Sequence, residues 1–214
     1  RAAAEEAVRL TMDRSGPVLI VCGPGNNGGD GFVMARRLVP AKRAVVVAYA
    51  DDPARLPADA TIAYKAWMDV GGLLHDDVPE PPSDGWALVV DAIFGIGLQR
   101  PVVGRYAEWI ARLNALPAPR MAIDIPSGLN ADTGEVMGTA FRATHTLTFL
   151  GLKPGLLTLD GPDHAGALTV RRLDIEPEDV LAAEAHLVRP AVFRTLLKPR
   201  ALNSHKGSYG EVGI

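Results

Sequence analysis

Short apolar runs alternate along the chain with longer stretches in which apolar residues recur every three or four positions. The run Val18–Cys22 is uninterrupted and rich in branched side chains, which is typical of a buried strand. The stretch Ala58–Val70 has the spacing of a helix and stops at Gly71-Gly72. The same patterns predict strands at Arg43–Ala50, Trp86–Asp91, Met121–Ile125, Thr144–Phe149 and Ala167–Leu173, and helices at Arg1–Met12, Phe32–Leu38, Arg105–Leu116 and Ile175–Ala185.

This alternation of strands and helices predicts an α/β fold. Strands joined through helices run parallel, and the crossovers place helices on both faces of the sheet. In an open sheet of this kind, ligands bind outside the carboxyl ends of the strands. The segments that follow the predicted strands are therefore where chemistry is expected.

Composition narrows the class of protein. The 214 residues are 48% hydrophobic with a formal net charge of −3, which fits a globular protein and gives no sign of a nucleic-acid or membrane partner. The apolar runs are too short to cross a bilayer, and no secretory signal opens the sequence. Cys22 is the only cysteine, which excludes an intrachain disulfide and a cysteine-based zinc site. These features favour a cytoplasmic protein.

Polar and glycine-rich segments follow three of the predicted strands. "GPGNNGGDG" follows the first, Asp91 closes the third before "AIFGIG", and Asp124 closes the fourth before "IPSG". Because the carboxyl ends of parallel strands share one edge of the sheet, we expect these segments to converge.

The first segment allows more than one interpretation. Residues 23–28 match G-x-G-x-x-G, and Asp51 follows the second strand, as in a dinucleotide-binding fingerprint. The amides of Asn26 and Asn27 and the charge of Asp30 suit a pyrophosphate poorly, and the missing lysine excludes a nucleoside-triphosphate loop. Asp30 could cap the next helix, and the side-chain oxygens could bind hydroxyls or a cation.

Asp91 and Asp124 are expected at neighbouring strand ends. Two carboxylates there would repel each other and raise one pKa, unless a cation lies between them. One of them could then carry a proton near pH 7, although each could also be a turn or cap residue. Ser127 does not match a G-x-S-x-G nucleophile elbow, so its hydroxyl is better suited to bind a ligand or to cap.

Together, "GPGNNGGDG", "DAIFGIG" with "RPV", and "AIDIPSGLNADTGE" resemble the YjeF N-terminal domain family, the NAD(P)H-hydrate epimerases, as does "ATHTLTFLGLKPGLL". The resemblance implies a Rossmann-like three-layer sandwich with a mainly parallel sheet and helices on both faces, often homodimeric. It implies a reaction that interconverts the R and S forms of hydrated NADH or NADPH. These dinucleotides carry water at C6 of the nicotinamide ring.

The resemblance also implies the residues of the site. A potassium ion would be held by Asn27, Asp91 and Ser127. Inversion at C6, by loss of the hydroxyl or by ring opening, needs a group that moves a proton and an anion that steadies an iminium cation, and we expect Asp124 to do both. Lys153 could assist or could only mark a loop. The dinucleotide would be contacted by Asn26, Asn27, Gly28, Gly29, Asp30, Gly95, Ile96, Gly97, Leu98, Gln99, Arg100, Pro101 and Asp124.

Two other functions and the domain organisation stay open. YjeF-like domains also occur as interaction modules in messenger-RNA decapping scaffolds, and the G-x-G-x-x-G match would suit an NAD-dependent dehydrogenase. The epimerase domain is expected to span residues 1–188. Residues 189–214 would be a linker and the truncated start of an ADP- or ATP-dependent hydrate dehydratase domain, which "NSHKGSYGEVGI" resembles, or else a basic tail.

Overall fold

The computed structural model describes residues 1–176, 185–194, 202, 203 and 205. The chain divides into two units, Arg1–Pro177 and Glu178–Ile214. In the second unit, the described residues include a 3₁₀ turn at Pro190–Phe193. Most of the helix predicted at Ile175–Ala185 and most of "NSHKGSYGEVGI" lie outside the described residues, and the domain boundary at residue 188 stays a prediction.

Residues 1–176 contain the strands and α-helices that build the site. None of the described helices is both long and apolar enough to cross a membrane. The strands are β1 (Val18–Cys22), β2 (Val45–Ala48), β3 (Leu74–His75), β4 (Leu88–Ala92), β5 (Arg120–Ile123), β6 (His145–Phe149) and β7 (Ala167–Arg171). The helices are α1 (Ala2–Leu10), α2 (Asn26–Leu38), α3 (Ala58–Asp69), α4 (Arg105–Ala115) and α5 (Gly161–Ala165).

The strands form one seven-stranded sheet in the order β3-β2-β1-β4-β5-β6-β7, and every neighbouring pair is parallel. The predicted parallel α/β sheet is therefore confirmed. The chain builds outwards from β1 to one edge and then returns to place β4 on the other side of β1. This reversal is a topological switch point, the position at which open α/β sheets bind ligands.

Helices cover both faces of the sheet, as predicted. Along β1 the side chains alternate: Ile20 packs in the core formed with α1, α2 and α3, whereas Leu19 and Val21 pack in the core formed with α4. Because successive residues of a strand point to opposite faces, one apolar run supplies both cores.

Helix α2 begins at Asn26, well before the predicted start at Phe32, so the glycine-rich segment forms its first turns. Gly25 occupies the N-cap position, and Asp30 lies inside the helix, so the interpretation of Asp30 as its N-cap was wrong. Tertiary packing here overrides the low helix propensity of glycine. The short elements β3 and α5 were not predicted, because so few residues carry no readable periodicity.

Candidate active site

A cleft of about 910 Å³ opens at the carboxyl edge of the sheet, where the segments after β1, β4 and β5 converge as predicted. This volume suits a small-molecule ligand. Gly28, Gly29 and Pro101 are not among its lining residues, and neither are Asp91 and Ser127. The predicted site residues that do line it are Asn26, Asn27, Asp30, Gly95, Ile96, Gly97, Leu98, Gln99, Arg100 and Asp124.

The glycines in α2 are required by packing within the protein. A Cβ atom at Gly28 would lie 1.9 Å from the carbonyl oxygen of Gly23, and one at Gly29 would lie 2.9 Å from Cα of Ala60 in α3. Side chains do not tolerate distances this short. Glycine at these two positions therefore allows the first turns of α2 to pack closely on the backbone of Gly23 and on α3. Gly25 differs, because a Cβ atom there would meet nothing within 4 Å, and this residue lines the cleft.

Asn27 places a buried amide between α2 and the loop that follows β4. The residue is 8% exposed, and a Cβ atom at Gly95 would lie 3.5 Å from Asn27 Cγ and 3.6 Å from Oδ1. Its Nδ2 has no hydrogen-bond partner among the described residues. A buried amide donor left unpaired is costly, so this side chain is a candidate ligand-binding group.

Asp91, at the carboxyl end of β4, is fully buried and bonded to the turn that follows β5. Its Oδ2 accepts a hydrogen bond from the backbone N–H of Ser127 (2.7 Å), and its Oδ1 accepts from Ser127 Oγ (2.5 Å) and from the backbone N–H of Ile93 (3.1 Å). Ser127 Oγ in turn accepts from the backbone N–H of Phe94 (2.8 Å). Two of the three predicted potassium ligands are therefore in direct contact.

Burial raises the pKa of Asp91 to about 6, against the effect of the hydrogen bonds from Ser127 and Ile93. Asp124 does not contribute, so the mutual repulsion expected between the two carboxylates is not the cause of the shift. No ion pair neutralises Asp91 within the described part of the chain, and no group of three or more His, Cys, Asp or Glu side chains there could hold a metal. A cation beside Asp91 would therefore need neutral oxygen ligands, such as those of Asn27 and Ser127.

Asp124 follows β5 in the left-handed backbone region, with φ of 67°. Aspartate and asparagine adopt this conformation more readily than most residues with a side chain. The Asp124 backbone N–H donates to the carbonyl oxygen of Leu147 (2.7 Å), which ties the turn to β6.

Lys153 forms an ion pair with Asp124, whose side chain is 15% exposed against 17% for the lysine. Lys153 Nζ contacts Asp124 Oδ1 and donates to Thr148 Oγ1 (2.8 Å) and to the carbonyl oxygen of Phe149 (2.9 Å). Asp124 Oδ1 also accepts from Thr148 Oγ1 (3.2 Å) and from the backbone N–H of Phe149 (3.3 Å). The lysine that the sequence left undecided is thus part of the site, where it fixes the position of the carboxylate.

Asp30 lines the same cleft in a different setting. Although it is an exposed residue, desolvation of its carboxyl group, together with the negative charge of Asp124, raises the pKa of Asp30 to about 6. Its carboxyl group has no hydrogen-bond or ion-pair partner among the residues described. The cleft therefore holds one carboxylate that is firmly bonded and one that is free.

The loop after β4 is anchored on α4. The ring of Phe94 packs edge-to-face on Tyr106 with 5.0 Å between centroids, and the Tyr106 hydroxyl donates to the carboxylate of Asp51. Asp51, which a dinucleotide fingerprint would place on a ribose, is thus engaged by Tyr106 and does not line the cleft.

Thr148, Ile93 and Phe94 take part in the site without having been predicted. Thr146 and Thr148 are both fully buried in β6. Hydroxyl side chains at alternate positions of a buried strand need hydrogen-bond partners, and this pattern in the sequence could have pointed to Thr148. Ile93 and Phe94 act through backbone N–H groups, which leave no trace in the side-chain pattern.

Residues 1–155 match the model of a protein family described as YjeF-related protein N-terminus. The chain is 45% identical over 204 residues to a bifunctional NAD(P)H-hydrate repair enzyme of Leishmania braziliensis, an alignment that covers 91% of this chain and 36% of that protein. It is 41% identical to an NAD(P)H-hydrate epimerase of Rhodopirellula baltica, covering 83% of this chain and 73% of the relative. It is 38% identical to an NAD(P)H-hydrate epimerase of Limosilactobacillus fermentum, an alignment that covers 78% of this chain and 80% of the relative.

A crystal structure of yeast ynu0, YNL200c, has the same fold, with a TM-score of 0.64 at 20% identity over 78% of this chain and 73% of that one. Among the relatives, the alignment with the bifunctional repair enzyme of Leishmania braziliensis spans little more than a third of that protein's length. The family model nevertheless covers most of the chain, including every predicted site residue. The chain belongs to the family of YjeF-related protein N-terminal domains.

Proposed function

We propose that this chain is an NAD(P)H-hydrate epimerase domain, which interconverts the R and S forms of hydrated NADH or NADPH. Two relatives whose length it largely covers carry that name. The observation that carries the proposal is the cleft at the switch point, where Asp124, held by Lys153, shares one cavity with the start of α2. The relatives' names supply the substrate class, and the cleft supplies a site with groups suited to its chemistry.

The chemistry of the hydrate calls for a fixed anion in this cleft. C6 is a hemiaminal carbon bonded to a hydroxyl group and to the ring nitrogen, so loss of the hydroxyl leaves an iminium cation. A carboxylate already held beside C6 stabilises that charge as it develops, without having to reorganise. The described hydrogen bonds to Asp124 all go to Oδ1, which leaves Oδ2 available to the substrate.

We also propose potassium as the cofactor, held by Asn27, Asp91 and Ser127. Support comes from a fully buried carboxylate without an ion-pair partner, which a cation would neutralise. The Asn27 amide would offer Oδ1 to the ion and its unpartnered Nδ2 to a substrate oxygen. When bound, the ion would supply positive charge beneath the cleft.

The same geometry gives less support to the two other functions. In a dehydrogenase the carboxylate of Asp51 would bind the ribose, but here it accepts a hydrogen bond from Tyr106. An interaction module would have no need of a cleft carboxylate, that of Asp124, held by an ion pair with Lys153.

The test is to mix the protein with purified R-hydrate and to follow the S form by chromatography, in potassium chloride and in tetramethylammonium chloride. The proposal predicts that the protein brings the two forms to the same equilibrium from either side, faster with potassium. Oxidation or reduction of a nicotinamide would instead identify a dehydrogenase, and no change in any nicotinamide would support the interaction module.

We further infer a homodimer that acts in the cytoplasm, as the family resemblance implies. Light scattering of the purified protein tests the assembly. A mass near twice the 22.7 kDa of the chain would support the dimer, and a mass near 22.7 kDa would contradict it.

A further inference from the structure

We propose that Asp30 is a second catalytic residue, which carries the proton to and from the C6 hydroxyl while Asp124 serves as the fixed anion. This inference rests on the epimerase function proposed above. It divides between two carboxyl groups the two tasks that the sequence assigned to Asp124 alone.

The two carboxyl groups share one cleft but differ in their bonding. Asp124 is the partner of Lys153 in an ion pair and accepts further hydrogen bonds from Thr148 and Phe149, so its carboxylate is held in one position beside a positive charge. Asp30 has no such bond among the described residues. A pair of carboxyl groups in such contrasting environments is the usual arrangement in which one works as an acid and the other stays ionised.

The position of Asp30 on α2 places it among the groups expected to hold the substrate. Asn26 and Asp30 are four residues apart, so they share one face of the helix, and both line the cleft. Asp30 is therefore attached to a helix packed against the sheet, which is a rigid support for a group that must meet one atom of the substrate.

The proposed step balances as follows. The Asp30 carboxyl group gives its proton to the C6 hydroxyl, the C6–O bond breaks with its electron pair on oxygen, and water leaves. The lone pair of the ring nitrogen forms the iminium bond, and the carboxylate of Asp124 stabilises the positive charge. Water then attacks C6 on the other face of the ring and returns one proton, through cleft water, to the Asp30 carboxylate.

The charges around Asp30 determine how this step depends on pH. Desolvation of the carboxyl group and the negative charge of Asp124, which follows β5, both raise the pKa of Asp30. Arg100, in the loop after β4, is the other charged residue that lines the cleft, and Lys153 takes part only as the ion-pair partner of Asp124. Because the pKa of Asp30 is about 6, the fraction of the acid form, and with it kcat/KM, should fall about tenfold per pH unit above pH 6.

The experiment compares wild-type protein with Asp30→Asn, and with Asp69→Asn, an exposed aspartate on α3, as the matched control. The Asp30→Asn variant should lose on the order of 10²- to 10⁴-fold in kcat with KM changed only a few-fold, and its remaining rate should lack the falling limb above pH 6. Asp69→Asn should keep both the rate and the limb. Uncatalysed epimerisation, measured without protein, is subtracted at each pH.

Three results would overturn the assignment. The first is that kcat of the Asp30→Asn variant stays within a few-fold of wild type. The second is that the rate of this variant still falls above pH 6 as the wild-type rate does. The third is a wild-type rate that does not fall above pH 6, a result that can be obtained without any variant. A wild-type protein that does not interconvert the hydrates at any pH would contradict the proposed function itself, so the two failures are distinguishable.

Discussion

Lys153 Nζ contacts Asp124 Oδ1 across 29 residues of sequence and joins the segment before Pro154 to the turn after β5. Both side chains are largely buried, and Thr148 bonds to each of them. Removing the lysine would leave a carboxylate at the cleft without its cationic partner. Breaking a buried ion pair in this way is destabilising, because the remaining charge is no longer compensated.

We therefore predict that Lys153→Met lowers the free energy of unfolding by roughly 1–3 kcal/mol and the epimerisation rate by at least about tenfold. The rate should fall because the carboxylate of Asp124 is no longer held in one position. Urea unfolding and the hydrate assay measure the two effects. Lys65→Met, at an exposed position on α3, is the control, and equal effects of the two changes would contradict a special role for Lys153.

The close packing of α2 makes a prediction that is independent of function. Gly28→Ala should destabilise the protein by about 3 kcal/mol or more, because the new Cβ would lie 1.9 Å from a backbone oxygen of Gly23 that cannot easily move. Gly25→Ala, where the space is open, should cost less than about 1 kcal/mol. Thermal unfolding of the two variants decides this, and similar losses in both would show that the packing is described wrongly.

The buried carboxyl of Asp91 should make stability depend on pH. Its pKa is raised from 3.8 to about 6, so the folded protein retains a proton that the unfolded chain releases between these values. The free energy of unfolding must then fall by roughly 3 kcal/mol as the pH rises through this window, in a buffer without potassium. Above the window it should stay level. The difference between wild type and Asp91→Asn in urea unfolding at several pH values isolates this effect, and parallel curves would contradict it.

Potassium should reverse that loss if it binds beside Asp91. Replacing tetramethylammonium by potassium at constant ionic strength and pH 8 should raise the Tm of wild type, since a ligand that binds only the folded state stabilises it. The increment should shrink in Ser127→Ala, which loses one of the proposed ligands, and persist in Ser83→Ala at an exposed position. An equal Tm in the two salts would leave the proposed cation site without support.

The fold could be predicted from the sequence because its strands are short apolar runs and its helices have clear spacing. The convergence of Asp91 and Ser127 could also be predicted, since parallel strands bring their carboxyl ends to one edge. The start of α2 could not, because glycines that disfavour a helix locally are required there by packing on Gly23 and Ala60. The bond between Lys153 and Asp124 depends on the path of a loop, for which a sequence pattern gives no distance.

The most direct measurement is the rate at which Asp124→Asn and wild-type protein bring purified R-hydrate to equilibrium with the S form. Asparagine accepts the left-handed backbone at this position, so the variant should still fold, although the loss of the charge partner of Lys153 should lower its free energy of unfolding. We predict that wild type interconverts the two forms and that Asp124→Asn is slower by at least about 100-fold, because the fixed negative charge is gone. A variant with a near-normal rate, or a wild-type protein that leaves the R form unchanged, would contradict the central claim.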